Sequence, residues 1–142
     1  MGTKNKLSNL PIALSLIVSI SILSSCGAIV DKLIDQMVAE TNKQCPMRLD
    51  NDTRLDKVTH PEKGTVEYLY TLINLAEEDL IMDKDEATLL TKAAVTENLK
   101  NTAVPELKTV LKLKAIFRYT YYDKNGELLF SFDVGPEEYS SL

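Results

Sequence analysis

The residues equipped for chemistry are few and scattered: two cysteines, Cys26 and Cys45, one histidine, His60, and 21 carboxylates among 142 residues. A reactive thiol needs an electropositive, exposed setting, and Lys43 and Arg48 only hint at one around Cys45. The plainer reading of Cys45, in "TNKQCPMRL", is a small core residue at a helix end. His60 falls in "HPEKG", a turn-forming stretch, where a solvated side chain is expected, and zinc requires several ligands at fixed spacing. No metal site is expected. The acids of "DNDTRLD" and "DKDEATLL" lack the glycine and glutamate positions of an EF-hand loop and read as turns and helix caps. G-x-S-x-G, P-loop and G-x-G-x-x-G patterns are absent, and five glycines leave no phosphate cradle, so no cofactor is expected. Two carboxylates suffice for glycoside hydrolysis, and Glu67 with Asp133 would be a candidate pair. With 21 acids in the chain, some such pair is always available.

Cys26 differs because of what precedes it. "MGTKNK" carries Lys4 and Lys6, an apolar run extends from Leu7 to Leu23, and the small residues Ser24 and Ser25 come before the cysteine. These are the three zones of a secretory signal. The positive flank obeys the positive-inside bias. The run is diluted by Pro11 and several serines, and it falls short of the ~20 apolar residues of a stable span. Myristoylation is excluded, since Lys6 stands where Ser or Thr is required.

Leu23-Ser24-Ser25-Cys26, directly after the apolar run, resembles the lipobox of bacterial lipoproteins. The resemblance implies that the Cys26 thiol receives a diacylglycerol and that a peptidase cuts after Ser25. Residues 1–25 would then be a signal peptide, and 26–142 a single domain anchored to the non-cytoplasmic side of a membrane. With Gly27 rather than Asp after the cysteine, it favours the outer membrane of a two-membrane bacterium. Ser25 is a less typical neighbour than Ala or Gly. An ordinary secretory signal with Cys26 left as a thiol, or an uncleaved anchor, are the competing readings. Acyl chains contribute about 0.8 kcal/mol per buried methylene, enough to hold a small domain without a spanning helix.

Cutting after Ser25 removes Lys4 and Lys6 of the 16 basic residues and none of the 21 acids, moving the formal charge from −5 to −7. One domain's worth of chain remains. It can bury a core without disulfides or metals. No basic cluster is visible in the sequence, which argues against nucleic acid and against an electrostatic membrane contact, leaving the lipid as the membrane link.

The elements that position these residues follow from periodicity. Val30, Leu33, Ile34, Met37 and Val38 recur at helical spacing across 27–42, ending before Pro46. "RLDKVT" (54–59) and "TVEYLYTLIN" (65–74) form a hairpin about "HPEKG", the second strand being central because both its faces are partly apolar. A helix over 83–102 opens on Asp83 and Asp85, and a shorter one opens on Pro105. A second hairpin, "KAIFRYTYY" (114–122) and "ELLFSFDV" (127–134), turns at "DKNG", with Leu128, Phe130, Phe132 and Val134 alternating against Glu127, Leu129, Ser131 and Asp133. The order predicts an α+β domain: an antiparallel sheet of about four strands with helices on one face. The helix ending in "NKQCP" and the strand after it are also similar to small bacterial envelope proteins.

Tyr68, Tyr70, Tyr119, Tyr121 and Tyr122 fall on the strands and form a possible binding surface, since tyrosine suits interfaces. Aromatic enrichment in strands is the simpler explanation. The reading that results is a non-enzymatic, membrane-anchored envelope protein contacting another envelope protein or a cell-wall component. The alternative is a small hydrolase of an envelope polymer using Glu67 and Asp133.

Overall fold

The computed structural model describes residues 27–140; the expected signal peptide, residues 1–25, and Cys26 lie outside the described residues. Helix α1 covers 27–42. Strands β1 (Met47–Arg48), β2 (Thr53–Glu62) and β3 (Thr65–Leu72) follow, then helices α2 (Lys84–Lys100) and α3 (Pro105–Lys112), strands β4 (Ile116–Tyr122) and β5 (Leu128–Val134), and a one-turn helix α4 (Pro136–Tyr139). The α+β class is the one the periodicities predict.

The sheet has five strands in the order β1-β2-β3-β4-β5, and it corrects the expected all-antiparallel arrangement of four. Both hairpins are antiparallel, but β3 and β4 pair in parallel, Tyr68 opposite Tyr119 and Tyr70 opposite Tyr121. The reason is the connection: α2 and α3 are long enough together to carry the chain back to the end of the sheet where β3 began. β1 is only two residues long, too short to leave a pattern.

Two bulges decide which side chains face inward. Leu55 and Val58, three residues apart, both face the core because an extra residue, Asp56, is inserted opposite β3. The Asp56 carboxylate accepts from Arg54 Nε and from Thr71 Oγ1, which fixes the bulge. In β5 the register slips between Leu128 and Phe130, where Leu129 is the extra residue, and Leu128 is 51% exposed while Leu129 is buried. That reverses the alternation expected for these two residues.

Turn residues act where the sequence places them. Asp83 caps α2 by accepting from the Glu86 N–H, and Pro105 sits in the first turn of α3. Gly126 adopts φ 84° in the β4–β5 turn. β2 runs on through His60 and Pro61, so the expected five-residue turn contracts to Lys63 and Gly64, the latter at φ 71°. Pro61 is tolerated because β1 pairs only at Leu55 and Arg54, leaving this part of β2 an edge.

The core lies between one sheet face and the helices. Val66, Phe117, Val134 and Val58 are fully buried there beneath Ile34 of α1 and Val110 of α3. Leu99 of α2 joins the same cluster, but Leu89 and Leu90 stay exposed. Tyr139 of α4 closes the end of the core, its ring edge-on to Phe117 at 6.0 Å and its hydroxyl donating to the Ala115 carbonyl at 2.7 Å. At the far end of α1, the Asn42 amide donates to the Val58 carbonyl and accepts from the Val58 N–H, both at 2.8 Å, standing in for a neighbouring strand.

Candidate functional site

Four of the five tyrosines form one layer with two phenylalanines. Tyr68, Tyr119 and Phe132 stack across three strands at 5.4 and 5.6 Å, and Tyr70, Tyr121 and Phe130 form a second row at 4.9 and 5.0 Å. Strand register produces this directly, because the rings are cross-strand partners. Tyr122 points to the opposite face, as its place one residue after Tyr121 requires. Burial raises the Tyr68 and Tyr121 hydroxyls to about 12 and drives Tyr70 and Tyr119 higher still. All four are neutral phenols at physiological pH, able to donate a hydrogen bond but not to act as acids or bases.

Tyr68 does more than pave the sheet. It is the floor of a groove of about 870 Å³ whose walls are α1 and α3. Leu33 and Met37 line one side, Val104, Leu107 and Val110 the other, and Gln36, Glu40, Thr41, Glu106 and Thr109 form its polar margin. The helical stripe of α1 explains the geometry: Val30 and Ile34 point down into the core, while Leu33 and Met37 lie half-buried beside them. Pro105 starts α3 so that Val104 remains outside its first turn, 51% exposed. A volume in the ~300–1,000 Å³ range with apolar walls and a few polar groups suits a bound side-chain cluster or peptide. Sequence periodicity marked the two helices but not the groove, which exists only because they come to rest on either side of Tyr68.

Glu67 and Asp133 are not at this groove. They share the outer sheet face, on a row in which Glu67 opposes Arg118 and Arg118 opposes Asp133. Glu67 accepts from Thr120 Oγ1 at 2.9 Å and Thr59 Oγ1 at 3.1 Å. Asp133 takes both Nε and Nη2 of Arg118, at 2.8 and 3.0 Å, and Arg118 also reaches Glu62 at 2.9 Å. The fork held by Asp133 and Glu62 outweighs the effect of burial and raises the guanidinium pKa further. These carboxylates tie strands together; Asp133 borders a small hollow beside α4, but Glu67 does not, so the pair does not flank one cleft.

His60 corrects the expectation of a solvated turn residue. Its side chain is only 16% exposed, with Nδ1 2.7 Å from Asp35 and Nε2 3.1 Å from Asp31, both on α1. Burial disfavours the imidazolium, but the hydrogen bonds and charges of Asp35 and then Asp31 outweigh it and raise the pKa. The carboxylates bind opposite ring nitrogens, so the three groups do not converge on a point. No cluster able to hold a metal ion occurs among the described residues.

Cys45 packs against the core, half-buried, and is a free thiol. Burial, then the Asp56 carboxylate, raises its pKa, which keeps it protonated and unreactive. Among the described residues no helix is long and apolar enough to cross a membrane.

The fold is shared with proteins of bacterial secretion. A Pseudomonas aeruginosa protein described as secreted superposes with a TM-score of 0.62 at 11% identity, over 80% of this chain and 95% of that one. The pilotin EpsS of the Vibrio vulnificus type 2 secretion system matches with 0.60 at 10% identity, over 82% and 96%. The type II secretion system pilotin AspS of Vibrio cholerae matches with 0.61 at 14% identity, over 82% and 97%. No curated protein matches the chain in sequence. The chain belongs to the family described as a domain of unknown function (DUF8479), whose model matches residues 28–130.

Proposed function

We propose that this is a bacterial envelope lipoprotein, non-enzymatic, that holds a segment of another envelope protein in the groove between α1 and α3. In this reading residues 1–25 are a signal peptide removed after Ser25, Cys26 carries the lipid, and the domain from Cys26 onward works outside the cytoplasm, at the outer membrane where there is one. The observation that carries the binding role is the groove: apolar walls from Leu33, Met37, Val104 and Leu107 over the Tyr68 ring. Such a lining favours the aliphatic or aromatic anchors of a polypeptide over a cell-wall glycan, whose hydroxyls would need many more polar partners. The lipobox and the fold shared with pilotins support the anchor and the setting. The Tyr68 hydroxyl, without a protein partner among the described residues, supplies one hydrogen bond to the occupant.

The test has two halves. Metabolic labelling with a clickable fatty acid should mark the wild type and not Cys26→Ala, with a processed band in the membrane fraction. A photo-crosslinking side chain at Gln36 or Val104 should then capture one discrete envelope protein, and the same group at Ser131 on the outer sheet face should not. Met37→Lys, which places a charge in the groove wall, should abolish the crosslink while leaving lipidation intact. Equal capture from Ser131 would remove the groove from this role.

A further inference from the structure

One end of the molecule gathers lysines that the sequence scatters. The Gly64 N–H donates to Asp31 of α1 at 2.7 Å, and the Gly64 carbonyl accepts from the Ile116 N–H at the start of β4 at 2.8 Å. These contacts bring the first turns of α1, the Lys63–Gly64 turn and the loop from α3 into β4 onto one face. Lys32, Lys63, Lys112 and Lys114 are all exposed there, and none is in an ion pair among the described residues. The acids of this end are partnered but not neutralised: Asp31 and Asp35 share His60, Glu62 and Asp133 share Arg118, and Glu138 meets Lys92, so surplus carboxylate charge on the flank offsets part of the lysines' charge. Glu137 of α4 remains exposed. Exposed aliphatic residues accompany the lysines, Ile29 at 53% and Leu113 at 37%, while Ile116, at 36%, turns to the flank lined by Asp133, Glu137 and Glu138.

We propose that this pole is a membrane-docking face: the four lysines contact anionic lipid headgroups while Ile29 and Leu113 enter the interface. An acidic domain is repelled by an anionic bilayer at long range, but salt screening beyond about 8 Å leaves the nearest face to decide the contact. Near such a surface each lysine strengthens binding by about fivefold. The chain enters α1 at residue 27, on this same pole. The inference rests on the proposed lipid at Cys26 only for permanence: an anchor one residue upstream would hold the lysines against the headgroups. With the pole seated, α1 leads away from the bilayer, and the groove opens sideways, clear of the lipid.

The full chain, produced in a bacterium and purified in detergent, tests this. Mass spectrometry of its N-terminal peptide first establishes whether Cys26 is lipidated, which judges the anchor separately. The protein is then mixed with excess phosphatidylcholine vesicles, with or without phosphatidylglycerol, and its lysines are footprinted with an amine-reactive reagent. On phosphatidylglycerol vesicles Lys32, Lys63, Lys112 and Lys114 should label several-fold more slowly than in detergent. Lys57, Lys84, Lys100 and Lys124 should be unchanged, and high salt should erase the protection. In a K63Q/K114Q variant, which alters only exposed side chains, Lys32 and Lys112 should return toward their detergent rates. Detergent-like labelling of the wild-type pole on phosphatidylglycerol, or equal protection on phosphatidylcholine alone, would overturn the proposal.

Discussion

At the scale of the residue, two side chains answer to pH in opposite senses. Asp123 is almost wholly buried, and it accepts the N–H groups of Asn125 at 2.8 Å, Glu127 at 2.9 Å and Glu77 at 3.2 Å. Burial alone would raise its pKa; those backbone donors outweigh it and lower the value. Its contribution is therefore present above the unfolded value of about 3.9 and lost as pH falls through the lower folded value. Asp123→Ala should lower the melting temperature at neutral pH and flatten its decline in acid, as followed by circular dichroism. His60 works in the opposite sense. Its folded pKa is raised, so its stabilisation is complete below about 6.5 and lost as pH rises through the folded value. His60→Gln should remove that alkaline loss, and melts across the neutral range would reveal a persisting slope if the Asp31–His60–Asp35 contact were of no consequence.

At the scale of the element, α1 is the most revealing. Its polar moorings are the contacts of Asp31 and Asp35 with His60 and of Asp31 with the Gly64 N–H near its start, and the Asn42 amide at its end. Asn42→Ala leaves the Val58 N–H and carbonyl without these partners and should cost about 1–3 kcal/mol; hydrogen exchange at Val58 would report it, and unchanged exchange would exclude the role. The helices and hairpins were legible because apolar spacing and turn residues such as Pro105, Gly64 and Gly126 act locally. The inward residues of β2 were not, and in β5 Phe130, Phe132 and Val134 follow the expected alternation while Leu128 and Leu129 do not. Leu55 and Val58 break strict alternation because Asp56 bulges, and Leu128 trades places with Leu129 for the same kind of reason. A bulge depends on the partner strand, and no window of one strand contains that information. His60 was misread likewise, since Asp31 and Asp35 reach it only after α1 docks.

At the scale of the whole molecule, the sheet is two-faced, with aromatic rows under the helices and an outer lattice of Glu67, Thr120, Arg118 and Asp133. Phe117, fully buried between them and the helices, should be the costliest single truncation, with Phe117→Ala losing about 3–5 kcal/mol in denaturant titration. Arg118→Ala on the outer face should cost far less, because its partners Asp133 and Glu62 are substantially exposed. The groove and the lysine-bearing pole were invisible in the sequence because each is assembled from segments far apart in the chain. The acidic overall charge concealed four lysines that the fold brings to one end.

The orientation of α1 also bears on mechanical load. Any pull entering the chain before residue 27 meets the helix at its first turn and peels it from the sheet, so contacts are loaded one after another: first Asp31 with Gly64 and His60, then Asp35, and last Asn42 at Val58. Sequential loading of this kind yields at low force. Detachment would uncover the edge of β2 that Asn42 now occupies and remove one wall of the groove.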